Sequence, residues 1–371
     1  MSKEQLTPKI YFARPLKLRL SARELRRLLK IEHFLYLVGL ALFATFLAWF
    51  IFLNYLDWDS QSGQSGGAVT ADQQLYKSLS IADLRRAVFT SSAVKRQQDL
   101  GIHGSSHQFV FSFSVPHDNL TEYGLMSLPL SPPPAGGYPV LILCHGYAEP
   151  WSYSTTKSYL NDVQFYSSHG FAVLKPDYRG QGLSINDGQP DGAYYSSAYN
   201  TDVLSLTAAA KRTPYLNKNN ISIWGHSLGA YIALRAAVVS SDYKDIILLS
   251  GPVGTIQDMF TAYTPISDIS DPAAANTRLA ELTAHGTPLS NPVFWDKVSP
   301  LNYLKDTKGY IQIHVGTADH TVPPLMSADL DRALTKLGKP HQYFVYPGGN
   351  HGLGPQRSAI WSRSLSLLKS S

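Results

Sequence analysis

The sequence predicts an α/β fold in which a doubly wound, mostly parallel sheet carries a small helical cap insertion and follows a single N-terminal transmembrane helix. Three observations predict it. Residues 34–53 contain no charge, the chain after residue 108 alternates short apolar runs with helix-like stretches, and residues 251–300 form an interval too long for a simple connection. The 371 residues allow one or two domains with a large core.

The positive charge is confined to the N-terminal segment. Residues 1–33 hold nine Lys or Arg and three Glu, whereas the remaining residues hold 23 Lys or Arg and 24 Asp or Glu. The net charge of +5 therefore gives the body of the protein no attraction for phosphate, and we expect no nucleic-acid partner. Residues 10–30 of this basic, cytoplasmic tail have a second interpretation, as an amphipathic segment that lies on anionic lipid.

The apolar segment at residues 34–53 is long enough to cross a bilayer. Its 20 residues span roughly 30 Å as a helix, the thickness of the hydrocarbon core. Because basic residues precede it and acidic residues follow it, we expect the N-terminus in the cytoplasm and the rest in a periplasmic, extracellular or lumenal compartment. A buried helix is disfavoured by the apolarity all round, and a cleaved signal peptide by the missing cleavage pattern.

Residues 54–104 are predicted to combine a linker with a helix. Residues 60–67 (SQSGQSGG) have the composition of a flexible tether. Residues 75–100 carry apolar side chains at spacings of three to five, which predicts a helix. The α/β domain is then expected to occupy residues 105–371.

Apolar runs and helical patterns alternate through this domain. Strands are predicted at 109–115, 120–130, 140–144, 172–175, 221–224, 245–249, 310–315 and 342–346, and helices at 159–168, 198–211, 228–239, 325–337 and 355–368. Alternation of this kind is typical of a parallel sheet covered on both faces, with function at the carboxyl ends of its strands. Residues 251–300 are expected to form a cap, with a helix capped by Asp271.

A candidate nucleophile lies at one of these strand ends. Ser227 is the centre of Gly225-His226-Ser227-Leu228-Gly229, between a predicted strand and a predicted helix. A sharp strand-to-helix turn exposes such a serine in strained backbone geometry, and glycines let the neighbouring elements approach. The alternative is a serine that only caps the helix, which the strand before the motif and the helix after it make the less favoured interpretation.

A serine hydroxyl needs a base, and the base needs an acid to orient it. In chains that carry this turn, the order is serine, acid, histidine. Asp319 follows the strand at 310–315 and His351 follows the glycine-rich loop after the last strand, so we expect them as acid and base. The rival histidines are His320, His341 and His314.

The developing negative charge on a carbonyl oxygen needs two fixed donors. We expect the backbone N–H groups of Leu228, at the helix start, and of Tyr147, in the turn after VLILC. His145, in the same turn, is expected to pack and to support the loop.

These segments resemble a known family. In order and spacing, LILCHGY, VLKPDYRGQGLS, WGHSLGA, SPLNYL, IHVGTADHTVPP and YPGGNHGL are similar to the α/β-hydrolase superfamily, and the later ones to the catalytic domain of the prolyl oligopeptidase family of serine peptidases. The resemblance implies an α/β-hydrolase fold, with Ser227, Asp319 and His351 as nucleophile, acid and base.

The chain departs from those peptidases in two ways. They usually carry a β-propeller, for which residues 72–104 are too few, and the residues Leu228-Gly229-Ala230 after the nucleophile look more like esterases and lipases. We therefore expect a membrane-anchored serine hydrolase that cleaves an ester, lipid, amide or short peptide. A peptidase of prolyl oligopeptidase type, an acyltransferase and a non-catalytic binding protein are the alternatives.

Other features of the site are less determined by the sequence. Tyr194, Tyr195 and Tyr199 are expected to line the entrance together with the cap, or to serve in packing. No metal-ligand cluster, phosphate loop or dinucleotide fingerprint occurs, so we expect no cofactor. The single cysteine, Cys144, excludes an intrachain disulfide and is expected in the core.

Overall fold

The computed structural model describes residues 71–149, 152–185, 195–263 and 272–370, together with Thr45. The chain divides into two units, Met1–Val69 and Thr70–Ser371, and all elements named below belong to the second. Apart from Thr45, the predicted basic tail, transmembrane helix and tether lie outside the described residues. Among the residues that are described, no helix is long and apolar enough to span a membrane.

Nine strands and a set of helices alternate along the described chain. The strands are β1 (Lys95–His103), β2 (Ser106–Val115), β3 (Leu120–Pro129), β4 (Tyr138–Cys144), β5 (Ala172–Pro176), β6 (Leu216–His226), β7 (Tyr243–Leu249), β8 (Tyr310–Gly316) and β9 (His341–Tyr346). The helices are α1 (Ala71–Lys77), α2 (Ile81–Leu84), α3 (Leu160–Ser168), α4 (Ala198–Arg212), α5 (Leu228–Val239), α6 (Ile256–Asp258), α7 (Pro272–His285), α8 (Pro292–Trp295), α9 (Pro324–Lys336) and α10 (Arg357–Ser370). A π-helical turn spans Met259–Tyr263, and 3₁₀ turns span Pro116–Asp118, Gly182–Ser184 and Pro300–Asp306.

The strands form one sheet in the order β1-β2-β3-β5-β4-β6-β7-β8-β9. The first three strands are antiparallel to their neighbours, and the pairs from β5 through β9 are parallel. Sequential residues of β4 point to opposite faces: Ile142 packs in the core shared with α4, α5 and α9, and Leu141 in the core shared with α3 and α10. The predicted doubly wound, mostly parallel sheet is therefore confirmed.

The parallel strands end side by side at one edge, which we call the carboxyl edge. Cys144 of β4 is paired with Gly225, His226 of β6 with Leu249, and Gly316 of β8 with Tyr346. The loops that follow these strands contain all the predicted site residues, so the register alone brings them to one side of the sheet.

The prediction of a continuous helix over residues 75–100 is wrong. Helices occupy only Ala71–Lys77 and Ile81–Leu84, and Lys95–His103 is the edge strand β1. Its sequence, KRQQDLGIH, is polar and largely exposed, and it lacks the alternation that marks a half-buried strand. It forms a strand because its backbone pairs with β2, with irregularities near Gln98 and Gly101.

The segment before β1 is an integral part of the domain. Tyr76 and Ile81 are buried in the main core, and the Tyr76 hydroxyl bonds Ser205 of α4 at 2.8 Å. The buried guanidinium of Arg235 donates to the carbonyl of Leu79 at 2.7 Å. These contacts tie the start of the described chain to α4 and α5.

Between β7 and β8 lies the interval predicted as a cap, which we call the insertion (residues 251–300). Where it is described it is largely helical, with α6, the π-helical turn, α7 and α8. Its apolar side chains form a separate cluster around Trp295, which includes Leu79 from the N-terminal segment and Met326 from α9. The predicted capping residue Asp271 lies outside the described residues.

Candidate active site

Ser227 occupies a strained turn between β6 and α5. Its φ of 55° and ψ of −125° place a non-glycine residue in a region that L-amino acids rarely adopt. The turn is held because the Ser227 N–H donates to the carbonyl of Leu249 at 2.9 Å and the Ser227 carbonyl accepts from Ala230 N–H at 2.9 Å. The strain therefore presents the hydroxyl at the carboxyl edge.

The two glycines of the motif have a steric reason. A Cβ on Gly225 would overlap the carbonyl of Gly229, and a Cβ on Gly229 would overlap the carbonyl of Cys144 at the end of β4. Each contact joins backbone to backbone, so neither can be relieved by a rotamer change.

The loops that carry Asp319 and His351 are tied to each other. Ala318 N–H donates to the carbonyl of Gly349 at 2.9 Å, and Thr317 N–H donates to that of Tyr346 at 3.0 Å. Asp319 and His351 are thus positioned by one pair of adjacent strands, β8 and β9.

The structure brings Ser227, His351 and Asp319 into one chain of hydrogen-bond contacts. His351 Nε2 lies 3.0 Å from Ser227 Oγ, and His351 Nδ1 lies 2.9 Å from Asp319 Oδ2 and 3.1 Å from Oδ1. The Ser227 and Asp319 side chains are buried, and His351 is partly exposed. A serine, an imidazole and a carboxylate in this order form the arrangement that activates a hydroxyl for nucleophilic attack.

Asp319 is held as a carboxylate. Burial raises its pKa, but the contact with His351 and the N–H groups of Val322 and Thr321, each 2.9 Å from Oδ1, outweigh burial, and the pKa lies below its usual value. The group is therefore ionised at neutral pH and faces His351 Nδ1.

The rival histidines have other partners. His314 is buried, with Nδ1 2.8 Å from the Tyr346 hydroxyl and Nε2 2.8 Å from Gln312 Oε1. His341 bonds Asp331 of α9 at 2.9 Å, and His320 is exposed beside Asp319.

The turn after β4 lies directly against Ser227. A Cβ on Gly146 would stand 3.2 Å from Ser227 Cβ, and Tyr147 is the next residue along the chain. Leu228 is the first residue of α5, where an N–H has no partner four residues earlier within the helix. The two residues predicted to supply the donors therefore lie on segments adjacent to Ser227, and their role at an oxyanion stays a prediction.

His145 is a core residue, in agreement with its predicted packing role. It is fully buried, and its ring stacks on those of Tyr153 and Tyr178, each at a centroid distance of 4.2 Å. Below it, Lys175 Nζ donates to the Tyr153 hydroxyl at 2.6 Å, and that hydroxyl lies 3.0 Å from Asp177 Oδ1. These buried polar contacts hold the ring of Tyr153, on which the ring of His145 stacks.

The predicted entrance tyrosines divide between two places. Tyr199 is buried in the main core and stacks on Tyr178, whereas Tyr195 packs edge-on to Trp295 of the insertion. Tyr194 lies outside the described residues. Within the described part of the chain, no group of His, Cys, Asp and Glu side chains is arranged to hold a metal ion.

Sequence reasoning missed two residues of the site. His226, which precedes the nucleophile, and Tyr159, at the start of α3, bond each other at 2.7 Å. His226 was visible as the second residue of the motif, but nothing local to the sequence indicates its partner 67 residues away.

The sheet order and the strained serine at the carboxyl edge define the class of protein, a serine hydrolase with an α/β-hydrolase-like fold. The prolyl oligopeptidase family matches residues 157–368, more than half of the chain, and the chain belongs to this family. The similarity that the sequence motifs suggest is therefore confirmed.

The curated relatives that the chain matches include dipeptidyl-aminopeptidases. The chain is 26% identical over 245 residues to the probable dipeptidyl-aminopeptidase B of Talaromyces marneffei, a match that covers 64% of this chain and 25% of that protein. The chain thus spans about a quarter of the length of that relative.

Two solved structures share the fold. The acetyl xylan esterase from Paenibacillus sp. R4 superposes with a TM-score of 0.55 at 18% identity, over 77% of this chain and 91% of the esterase. A puromycin-hydrolysing peptidase of Mycobacterium tuberculosis gives a TM-score of 0.53 at 18% identity, over 75% of this chain and 39% of the peptidase.

Proposed function

We propose that this protein hydrolyses carboxylic esters through an acyl-enzyme, with Ser227 as nucleophile, His351 as general base and Asp319 as the acid that orients it. The observation that carries the proposal is the chain of contacts from Ser227 Oγ through both nitrogens of His351 to Asp319. A strained serine between a strand and a helix adds support, because such a turn is typical of nucleophilic serines at the carboxyl edge of a sheet.

The reaction follows from these positions. Ser227 Oγ attacks the ester carbonyl while His351 Nε2 takes the hydroxyl proton, and the oxyanion is held by the N–H groups of Leu228 and Tyr147. Collapse breaks the bond to the alcohol, which leaves with the proton from His351. Water then attacks the acyl-serine with His351 again as base, which releases the carboxylic acid and restores Ser227.

Hydrolysis of an amide or peptide by the same residues is the second candidate. It is supported by the family match and by the peptidase relatives, whereas ester hydrolysis is supported by Leu228-Gly229-Ala230 after the nucleophile and by the esterase fold match. Acyl transfer to an acceptor other than water needs the same acyl-enzyme and is distinguished by its products.

We also propose that residues 34–53 anchor the hydrolase in a membrane, with the N-terminus in the cytoplasm and the catalytic domain outside it. The support is the uncharged apolar stretch with basic residues before it and acidic residues after it. Protease digestion of sealed vesicles checks the orientation. The domain should be degraded from the extracytoplasmic side only, and protection from that side would contradict the proposal.

The catalytic assignment is tested with a fluorophosphonate probe and with p-nitrophenyl esters. Wild-type protein should label and turn over, and Ser227→Ala should do neither, with kcat reduced at least about 10⁴-fold. Ser168→Ala, which changes an exposed serine at the end of α3, is the matched control and should behave as wild type. Wild-type protein that neither labels nor turns over would refute the proposal.

The preference for esters is tested on the same protein. We compare p-nitrophenyl esters of increasing acyl length with dipeptidyl p-nitroanilides. The proposal expects kcat/KM for the best ester to exceed that for every anilide by more than about 10³-fold. A dipeptidyl anilide cleaved within tenfold of the best ester would favour the peptidase.

A further inference from the structure

A second histidine lies between the catalytic histidine and the turn that binds the oxyanion. The Gly146 N–H lies 3.0 Å from the Tyr159 hydroxyl oxygen, that oxygen lies 2.7 Å from His226 Nδ1, and His226 Nε2 lies 3.0 Å from the carbonyl oxygen of His351. Three segments that are distant in sequence are therefore joined by one line of contacts, which ends on the backbone of His351.

The chemistry of the end groups, together with a neutral imidazole at His226, fixes the direction of every hydrogen bond in this line. The amide of Gly146 can only donate, so the Tyr159 oxygen accepts from it, and the Tyr159 hydroxyl donates to His226 Nδ1 when that imidazole is neutral. The carbonyl of His351 can only accept, so His226 Nε2 carries the imidazole proton. All the polar atoms are satisfied when His226 is a neutral imidazole in this one tautomer.

The surroundings of His226 favour that state. The side chain is buried, and burial, the largest cause, lowers the pKa of His226 to about 4 even though the His351 carbonyl raises it. A neutral imidazole at physiological pH keeps the donor on Nε2 and the acceptor on Nδ1.

We propose that His226 is a positioning residue, which with Tyr159 holds the backbone of His351 in register with the oxyanion turn. This inference rests on the proposed function. His351 must present Nε2 to Ser227 at 3.0 Å while its Nδ1 faces Asp319. The contact with Asp319 fixes the tilt of the ring, and the contact of His226 with the carbonyl fixes the position of the loop from which the ring extends.

The loop that carries His351 depends on such a contact. It contains four glycines between residues 348 and 354, and Leu353 has a positive φ of 50°. A shift of about 1 Å in a reacting group lowers rates by roughly 100-fold, so a contact that fixes this loop affects the chemical step. Tyr159 transmits the same constraint to Gly146, next to the predicted oxyanion donor Tyr147.

The test uses substitutions that remove different contacts of this line. His226→Phe removes both contacts, His226→Gln keeps a donor near the position of Nε2, and Tyr159→Phe removes the middle hydroxyl. We measure kcat and KM for p-nitrophenyl acetate and the rate of fluorophosphonate labelling on the full chain. The control is His341→Phe. This histidine lies on β9 and bonds Asp331 of α9, and its substitution should leave kcat within twofold.

A positioning role predicts a loss in kcat with little change in KM. His226→Phe should lower kcat about 30- to 100-fold with KM within threefold, Tyr159→Phe should lower it about 5- to 10-fold, and His226→Gln should regain at least tenfold over His226→Phe. Labelling rates should fall in the same order, because the probe reports the reactivity of Ser227 alone.

The outcomes separate this proposal from the one on which it rests. Reactive wild type with His226→Phe within twofold of it would overturn only the positioning role. Equal losses in His226→Phe and His226→Gln, in step with a lowered thermal midpoint, would assign His226 to the core and also overturn it. Wild-type protein that neither labels nor turns over would overturn both proposals.

Discussion

The carboxyl edge and the insertion are held together in different ways. At the carboxyl edge, segments meet backbone to backbone: Ala318 donates to the Gly349 carbonyl, and Gly229 packs on the Cys144 carbonyl. The insertion packs on the domain through the side chains of a small apolar cluster around Trp295. Its outer side chains are open to solvent, with Leu289 65% and Val293 71% exposed.

This difference separates the part of the domain that contains the proposed catalytic residues from a part whose sequence can vary. The close approach of backbones leaves no room for a Cβ on Gly225 or Gly229, so few substitutions are tolerated at these positions. Side-chain packing tolerates exchange when volume and polarity are kept. We therefore expect substrate preference to be altered more readily by changes in the insertion than by changes at the carboxyl edge.

The largest expected effect is a loss of kcat when an aspartate at the carboxyl edge is replaced, compared with an aspartate in the insertion. Asp319→Asn removes the carboxylate that faces His351 Nδ1 and should lower kcat for p-nitrophenyl acetate about 10⁴-fold, because the imidazole loses its correct tautomer. Asp258→Asn, at the capping box of α6, should leave kcat within about threefold. A loss of less than tenfold in kcat for Asp319→Asn would contradict the expected difference between the carboxyl edge and the insertion.

One glycine in each region shows how well the carboxyl edge and the insertion tolerate an added Cβ. Gly229→Ala places a Cβ against the carbonyls of Cys144 and His145 and should destabilise the protein by about 3 kcal/mol or prevent folding. Gly254→Ala, in the insertion, places its Cβ 3.1 Å from Cγ of Met326, a flexible side chain that can move, and should cost less than about 1 kcal/mol. Guanidinium unfolding measures both, and equal costs would remove the distinction.

The N-terminal segment joins the cluster of the insertion through Leu79. Leu79→Ala should destabilise the protein by about 2–4 kcal/mol, because it leaves a cavity beside Trp295 and Ile256. Leu289→Ala, on the exposed side of the insertion, should change stability by less than about 0.5 kcal/mol. Thermal and denaturant midpoints check this, and a cost for Leu79→Ala below about 1 kcal/mol would show that the segment is not part of the cluster.

The smallest effect is a difference in pH dependence. Burial lowers the pKa of His314 to about 3, so between pH 6.5 and 3 the unfolded chain binds a proton that the folded protein does not. This group therefore lowers stability by about 1.4 kcal/mol per pH unit as the pH falls through that window.

A substitution isolates the contribution of His314. His314→Asn removes it, so the variant should lose stability less steeply than wild type from pH 6.5 to 4.5. Urea unfolding at several pH values measures the slopes. Parallel curves for wild type and His314→Asn would show that His314 is protonated in the folded state.

Most of the sheet was predictable because its strands are apolar and short. The prediction of 140–144 corresponds to β4 (Tyr138–Cys144), and the helix at 228–239 has the bounds that the sequence predicts. In these elements local pattern and final burial agree. The edge strand β1 was not predictable, because its polar residues are set in a strand by pairing with β2 and not by their own periodicity.

The candidate site was predictable where function forces a local signature. Ser227, Asp319 and His351 each follow a strand in the expected order, and the structure places them in contact, while their roles stay predictions. His226 and Tyr159 escaped notice because a hydrogen bond across 67 residues leaves no periodic trace. The predicted anchor at residues 34–53 stays a prediction as well.

The buried cysteine offers a way to measure how often the protein opens locally. Cys144 is the only cysteine of the chain, it is fully buried at the end of β4, and burial raises the pKa of its thiol to about 12. A thiol reagent therefore modifies the native protein only during the intervals when β4 separates from its neighbours. The Cys144 carbonyl packs on Gly229, in the turn that follows Ser227. The rate at which a thiol reagent modifies Cys144 therefore measures how often this turn opens.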